Sequence, residues 1–152
     1  MITVKNSQRK IRVDTEALQQ NALSMLKTIG YDTFDLGILL TTNKTIQQYN
    51  KKYRSINKPT DILSFPYHAK LKAGKKIIVK SPEDKNLGDL IISLEYSQKK
   101  ADEFGFSSFD EYLLILLAHG IAHVIGYDHT TEKEYLAMQK VEKKLLESAV
   151  FV

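Results

Sequence analysis

The stretch LLILLAHGIAHVIGYDH, Leu113 to His129, limits the fold more than any other part of the chain. Leu113 to Ala118 is apolar without interruption, and the pattern continues through Ile121, Val124 and Ile125. A helix apolar on every side must be buried, so this segment predicts a central helix that ends at Gly126. Ser108-x-x-Glu111 reads as a capping box that opens it. Into this apolar element the sequence sets His119 and His123, four residues apart and therefore on one face, and it follows them with His129.

Single buried histidines are usually structural. Three of the chain's four histidines in eleven residues are harder to satisfy that way, because each buried polar group without a partner costs roughly 1–3 kcal/mol. A metal ion resolves that cost, since neutral imidazole is the commonest transition-metal ligand. Gly126 permits a left-handed reversal at the helix end, so that His129 can swing back toward the pair. The spacing His-x-x-x-His-x-x-Gly-x-x-His is similar to the ligand frame of the metzincin zinc proteases, with Gly120 where those carry glutamate. That glutamate is their general base, and glycine cannot take a proton. A zinc peptidase therefore keeps its metal but loses its base. Three nitrogen ligands leave a fourth position open, as a catalytic zinc site requires. With no cysteine in the chain, disulfides, thiolate metal sites and a cysteine nucleophile are excluded.

A length of 152 residues with 43% hydrophobic side chains predicts one domain over residues 1–152, with a true core. The longest apolar run, Tyr112 to Ala118, is far short of the ~20 residues of a membrane span, and no signal core follows the basic N-terminus. A soluble, cytoplasmic protein is expected. Short strands are predicted at 2–5, 34–41, 61–65 and 87–93, with a further candidate from Lys75 to Lys80. Helices are predicted from an Asp14 cap to Gly30, over 43–56, and from Leu94 to Phe104, before the histidine helix. A last helix opens at Thr131-x-x-Glu134, with Leu136, Val141 and Leu145 turned inward. Tyr67 to Asn86 is lysine-rich and predicts a long exposed hairpin. The fold class is α+β: a small mixed sheet packed on helices, with the histidine helix central and its metal cleft facing the basic segment.

Charge is divided along the chain. Residues 1–100 hold 18 Lys and Arg against 9 Asp and Glu, whereas residues 101–152 hold 4 against 9. Lys44 to Lys80 concentrates ten basic residues and one acid, Asp61. On charge alone, this stretch reads equally as a solvated face or as a polyanion-binding surface.

HGIAHVIGYDH, His119 to His129, resembles the signature of the bacterial YbeY family of rRNA-maturation endoribonucleases, first described as predicted metal-dependent hydrolases. NKKYRSINKPTDILSFP, Asn50 to Pro66, is similar to that family's second segment, and LGDLIIS, Leu87 to Ser93, to its third. Together the blocks order the resemblance over most of the chain from Ile38 onward, least of all in Tyr67 to Asn86. The resemblance implies a zinc-dependent endoribonuclease that prefers single-stranded RNA and acts on ribosomal RNA precursors. One zinc ion per chain would be held by His119, His123 and His129, with ribosomal particles as possible partners.

Phosphodiester cleavage needs a Lewis acid, a nucleophile and neutralisation of the crowded phosphate. Lysine outnumbers arginine 19 to 3, yet Arg54 stands within the basic stretch, and its fork can hold two phosphate oxygens. Catalysis is thus expected to depend on Arg54 and His119. Lys51, Lys52, Lys75 and Lys76 are candidate contacts to the RNA backbone. Asp61 and Ser64 read as cleft or turn residues, and Asp128 reads as an orienter of a ligand imidazole or as an ordinary turn residue. His68 is expected to be exposed and not a metal ligand, and Tyr49 and Tyr53 read first as core packing and second as stacking partners for bases. A non-catalytic RNA-binding assembly factor with a structural metal is the alternative function.

Overall fold

The computed structural model describes residues 1–149. Chain order is β1 (Ile2–Asn6), α1 (Thr15–Thr28), β2 (Asp35–Thr41), α2 (Asn43–Arg54), β3 (Ile62–Pro66), β4 (Asn86–Ser93), α3 (Leu94–Glu103), α4 (Phe109–Val124) and α5 (Glu132–Glu147), with one 3-10 turn at Pro82–Asp84. The strands form one mixed sheet in the order β1-β2-β4-β3. β1, β2 and β4 run parallel, and β3 lies antiparallel on the edge.

Period-two alternation assigns the two faces of the sheet. Leu36, Ile38 and Leu40 of β2 line up with Leu90 and Ile92 of β4 and bury themselves against α1, α3, α4 and α5 in the main core. Leu39 and Ile91 point the other way, with Leu63 and Phe65 of β3, and are covered by Ile46 and Tyr49 of α2. The predicted central helix is α4, which packs on β3, β4, α1, α3 and α5 at once. No helix among the described residues is long and apolar enough to cross a membrane.

Local capping explains why the helices begin where they do. Asp14 Oδ1 accepts from Ala17 N at 3.0 Å, Ser108 Oγ from Glu111 N at 3.1 Å and Thr131 Oγ1 from Glu134 N at 3.1 Å. The two expected capping boxes are completed differently: Glu111 and Glu134 accept from the hydroxyls of Ser107 and Thr130 instead of reaching the cap backbone.

Three expectations are corrected. Lys75 to Lys80 is not a strand, and no ladder forms inside the Tyr67 to Asn86 segment. Its backbone donors are satisfied locally, Leu71 N by His68 O and Lys75 N by Lys72 O, both at 3.1 Å, while Ile77 N donates to the Tyr31 hydroxyl. The antiparallel pair is β3 with β4, and the segment is a long excursion between them. Nor is the excursion wholly exposed, because the backbone of Leu71 to Ala73 lies against Gly126. Lastly, Leu136 is 57% exposed; the inward stripe of α5 is Met138, Val141 and Leu145.

Gly126 couples this excursion to the end of α4. Its φ is +102°, and a Cβ there would lie 2.8 Å from Leu71 O and 2.9 Å from Lys72 C. Gly126→Ala should therefore cost about 2–4 kcal/mol, combining strained backbone with overpacking. Gly105, with φ +75° and nothing near its Cβ position, carries the backbone cost alone, so Gly105→Ala should cost about 1–2 kcal/mol. Urea denaturation of both variants checks this, and equal losses would contradict the close approach.

Candidate metal centre

His119 and His123 lie one turn apart on α4, and their Nε2 atoms face each other at 3.1 Å. The chain reverses at Gly126 and brings the His129 ring to 5.5 Å from that of His119 and 5.2 Å from that of His123, centroid to centroid. One ligand nitrogen from each ring can be chosen so that all lie within 4.8 Å of one another.

The other ring nitrogens decide what this arrangement can hold. His123 Nδ1 is 2.9 Å from the Tyr127 carbonyl, which can only accept, so Nδ1 carries the proton and Nε2 a lone pair. His119 Nδ1 is 3.5 Å from Glu142 Oε2 on α5, again an acceptor. With His119 in the same tautomer as His123, two imidazole lone pairs face each other across 3.1 Å, an arrangement that a cation between them stabilises. Tetrahedral zinc with bonds of about 2.0–2.1 Å sets its ligand atoms roughly 3.3 Å apart; the His119–His123 pair stands at 3.1 Å, and all three ligand atoms lie within 4.8 Å of one another. Burial, reinforced by His119, lowers the pKa of His123 and keeps it neutral, as a ligand must be. The donor set fits a metal ion.

The histidines open into a cleft of about 640 Å³ that Arg54, Asp61, Ser64 and His68 also line. Arg54 Nη2 donates to the Ser64 carbonyl at 2.7 Å, and its guanidinium lies 5.6 Å from the Phe65 ring centroid. One of five guanidinium N–H groups is thereby fixed, which orients the rest of the fork. Asp61 anchors the start of β3: its Oδ1 accepts from Ile62 N at 2.8 Å and its Oδ2 from the Tyr112 hydroxyl at 3.1 Å. Burial, with Asp61 beside it, raises the Tyr112 pKa, so the phenol keeps the proton that it donates.

Other predicted residues stand differently. Asp128 lines the same cleft, and its Oδ1 accepts from the backbone N–H of His129 at 2.8 Å, which shapes the turn; its charge acts on His123 through space, with no hydrogen bond from it to an imidazole among the described residues. Tyr127 O and Glu142 supply the contacts to the rings instead. His68 is half-buried, with Nε2 2.8 Å from Asp84 O, because the excursion folds it against its own 3-10 turn. Tyr53 is 55% exposed, since the last turn of α2 runs beyond the sheet it covers. Lys51, Lys52, Lys75 and Lys76 are all exposed. Gly120 faces the sheet, where a Cβ would meet Leu90 Cδ2 at 2.8 Å and Ile62 Cδ1 at 2.9 Å. A glutamate there would point into the core, so the peptidase base is missing from the geometry as well as from the sequence.

Sequence patterns do not single out Glu142 or Tyr112. For Glu142 a signal exists: it lies on the α5 face that carries Met138, Val141 and Leu145, an odd position for a carboxylate without a task.

An α+β domain whose cleft gathers three histidines that could hold a metal ion, beside an arginine, fits the class of metal-dependent hydrolases. The family model described as Endoribonuclease YbeY matches residues 2–150. A human protein named Endoribonuclease YbeY is 37% identical over 148 residues, covering 96% of this chain and 86% of its own length. A protein of the same name from Caldicellulosiruptor bescii is 31% identical over 153 residues, covering 97% and 96%. The solution structure of TM1509 from Thermotoga maritima shares the fold, with a TM-score of 0.59 at 19% identity over 97% of this chain and 90% of that one. This chain belongs to the YbeY endoribonuclease family.

If Glu142 holds the His119 ring, Glu142→Gln should weaken zinc binding about 10- to 100-fold while leaving the circular dichroism spectrum unchanged. Competition with a chromophoric chelator measures this, and undiminished affinity would remove Glu142 from the site.

Proposed function

We propose that this protein is a zinc-dependent endoribonuclease that cuts single-stranded RNA, with ribosomal RNA precursors as its substrates during ribosome maturation. The observation that carries the reading is the facing pair of Nε2 atoms, each in a ring whose Nδ1 lies against an acceptor, in the cleft that Arg54 also lines. Family membership supplies the substrate class.

His119, His123 and His129 would hold zinc, which supplies Lewis acidity toward a phosphoryl oxygen. Arg54, steadied by the Ser64 carbonyl, holds two oxygens of the scissile phosphate and neutralises charge as it develops. Lys51, Lys52, Lys75 and Lys76, all exposed, hold the flanking backbone as point charges that follow an irregular strand. Asp61, with both oxygens engaged, keeps β3 and hence Ser64 in place. The alternative of a structural metal in a non-catalytic assembly factor calls for a closed coordination shell, whereas these histidines line an open cleft.

Chelation should abolish cleavage of labelled single-stranded RNA and added zinc should restore it; activity that survives chelation would refute the metal's role. Arg54→Lys preserves charge but not the fork, and should lower the single-turnover rate roughly 10²–10³-fold at unchanged zinc content. A near wild-type rate would return Arg54 to the general basic surface. Replacing Lys51, Lys52, Lys75 and Lys76 with alanine should flatten the salt dependence of binding, by about 0.7 in log–log slope for each phosphate that is no longer neutralised. An unchanged slope would make those lysines a solvated face.

A further inference from the structure

A second concavity lies on the opposite side of the sheet. α2 covers the β3 and β4 half of that face only as far as Tyr53, and beyond it a groove of about 810 Å³ stays open. One cross-strand row, Thr3, Gly37, Asp89 and Phe65, forms its floor. The missing side chain of Gly37 provides the space into which the Asp89 carboxylate leans, since a Cβ there would overlap Asp89 Oδ1. Asp89 is exposed and makes no ion pair among the described residues, whereas Asp35, nearby, is paired with the N-terminal amine at 2.6 Å. Aromatic rings form the wall: Tyr53 stacks on Tyr49 at 6.1 Å and meets Phe65 edge-on at 5.4 Å. Lys52 Nζ lies 5.2 Å from the Tyr53 ring centroid, and Lys5 also lines the groove.

Such a site suits a nucleobase better than a phosphate. The exposed ring of Tyr53 offers a stacking face, and a carboxylate beside an aromatic wall repels phosphate but accepts from base N–H groups. Guanine alone presents two adjacent donors, N1–H and N2–H, to one carboxylate; adenine, cytosine and uracil each set an acceptor beside their donor. Arg54, which lines the histidine cleft, lies 5.6 Å from the ring centroid of Phe65, which lines the groove.

We propose that the groove is a guanine-preferring subsite of the same RNA-binding surface: a base flanking the scissile phosphate stacks on Tyr53 and Phe65 and hydrogen-bonds to Asp89. The inference rests on the ribonuclease reading for its ligand. It extends that reading by assigning a base preference to residues outside the cleft.

The test uses the zinc-loaded full chain and oligouridylates with 2′-O-methyl sugars, each carrying one guanosine or one adenosine at successive positions, with binding read by fluorescence anisotropy. Guanosine should bind more tightly than adenosine at one position. Tyr53→Ala should weaken binding about 5- to 100-fold, the range for one stacked base. Asp89→Asn should erase the preference for guanosine over adenosine. Equal affinities for the two series, or undiminished binding in Tyr53→Ala together with an unchanged preference in Asp89→Asn, would overturn the subsite; the latter result would leave the groove to a protein partner. Cleavage of an unmodified single-stranded RNA by the wild-type protein runs in parallel. Its absence counts against the nuclease reading, while the anisotropy series alone decides the groove.

Discussion

Two imidazoles one helical turn apart, each with Nδ1 against an acceptor and Nε2 turned toward the other, set the terms for the rest of this structure. With both rings in that tautomer, such a pair is unfavourable in an apolar helix unless something cationic sits between the lone pairs. Holding it requires partners from further along the chain: the carbonyl of Tyr127, just past the helix end, and the carboxylate of Glu142, one helix later. The turn after α4 and the docking of α5 are thereby bound to the geometry of the histidines.

The sheet performs the complementary task. Gly120 lets α4 settle against Leu90 and Ile62, and Asp61 links β3 to α4 through Tyr112. β3 then presents the Ser64 carbonyl that steadies Arg54 at the end of α2. The arginine and the histidines come from helices on opposite faces of the sheet, and edge strand β3 brings them to one cleft. The glycine that stands where a protease carries glutamate is a packing residue against Leu90 and Ile62.

Much of this is legible in the sequence because it is local. Helix caps at Asp14, Ser108 and Thr131, the four paired strands and the histidine spacing are all written within a few residues of where they act. The excursion after Pro66 is not, since a run such as KKIIVK has strand composition but finds its hydrogen-bond partners in turns and in Tyr31, which no local rule reveals. Asp128 has the adjacency to His129 that places it in the cleft, and that same adjacency lets its carboxylate accept from the His129 backbone. Glu142 is hidden because its contact to His119 spans 23 positions, although its place on an apolar helix face is a visible anomaly. Leu136 and Tyr53 show that helical spacing alone does not say how far a neighbour extends to cover it.

The central claim is an open, three-imidazole zinc site, and X-ray absorption spectroscopy of the zinc-loaded protein tests it most directly. The account predicts three imidazole nitrogens at about 2.0–2.1 Å and one further light-atom ligand that exchanges with added anions. A shell closed entirely by protein side chains, or zinc bound with fewer than three imidazoles, would contradict it.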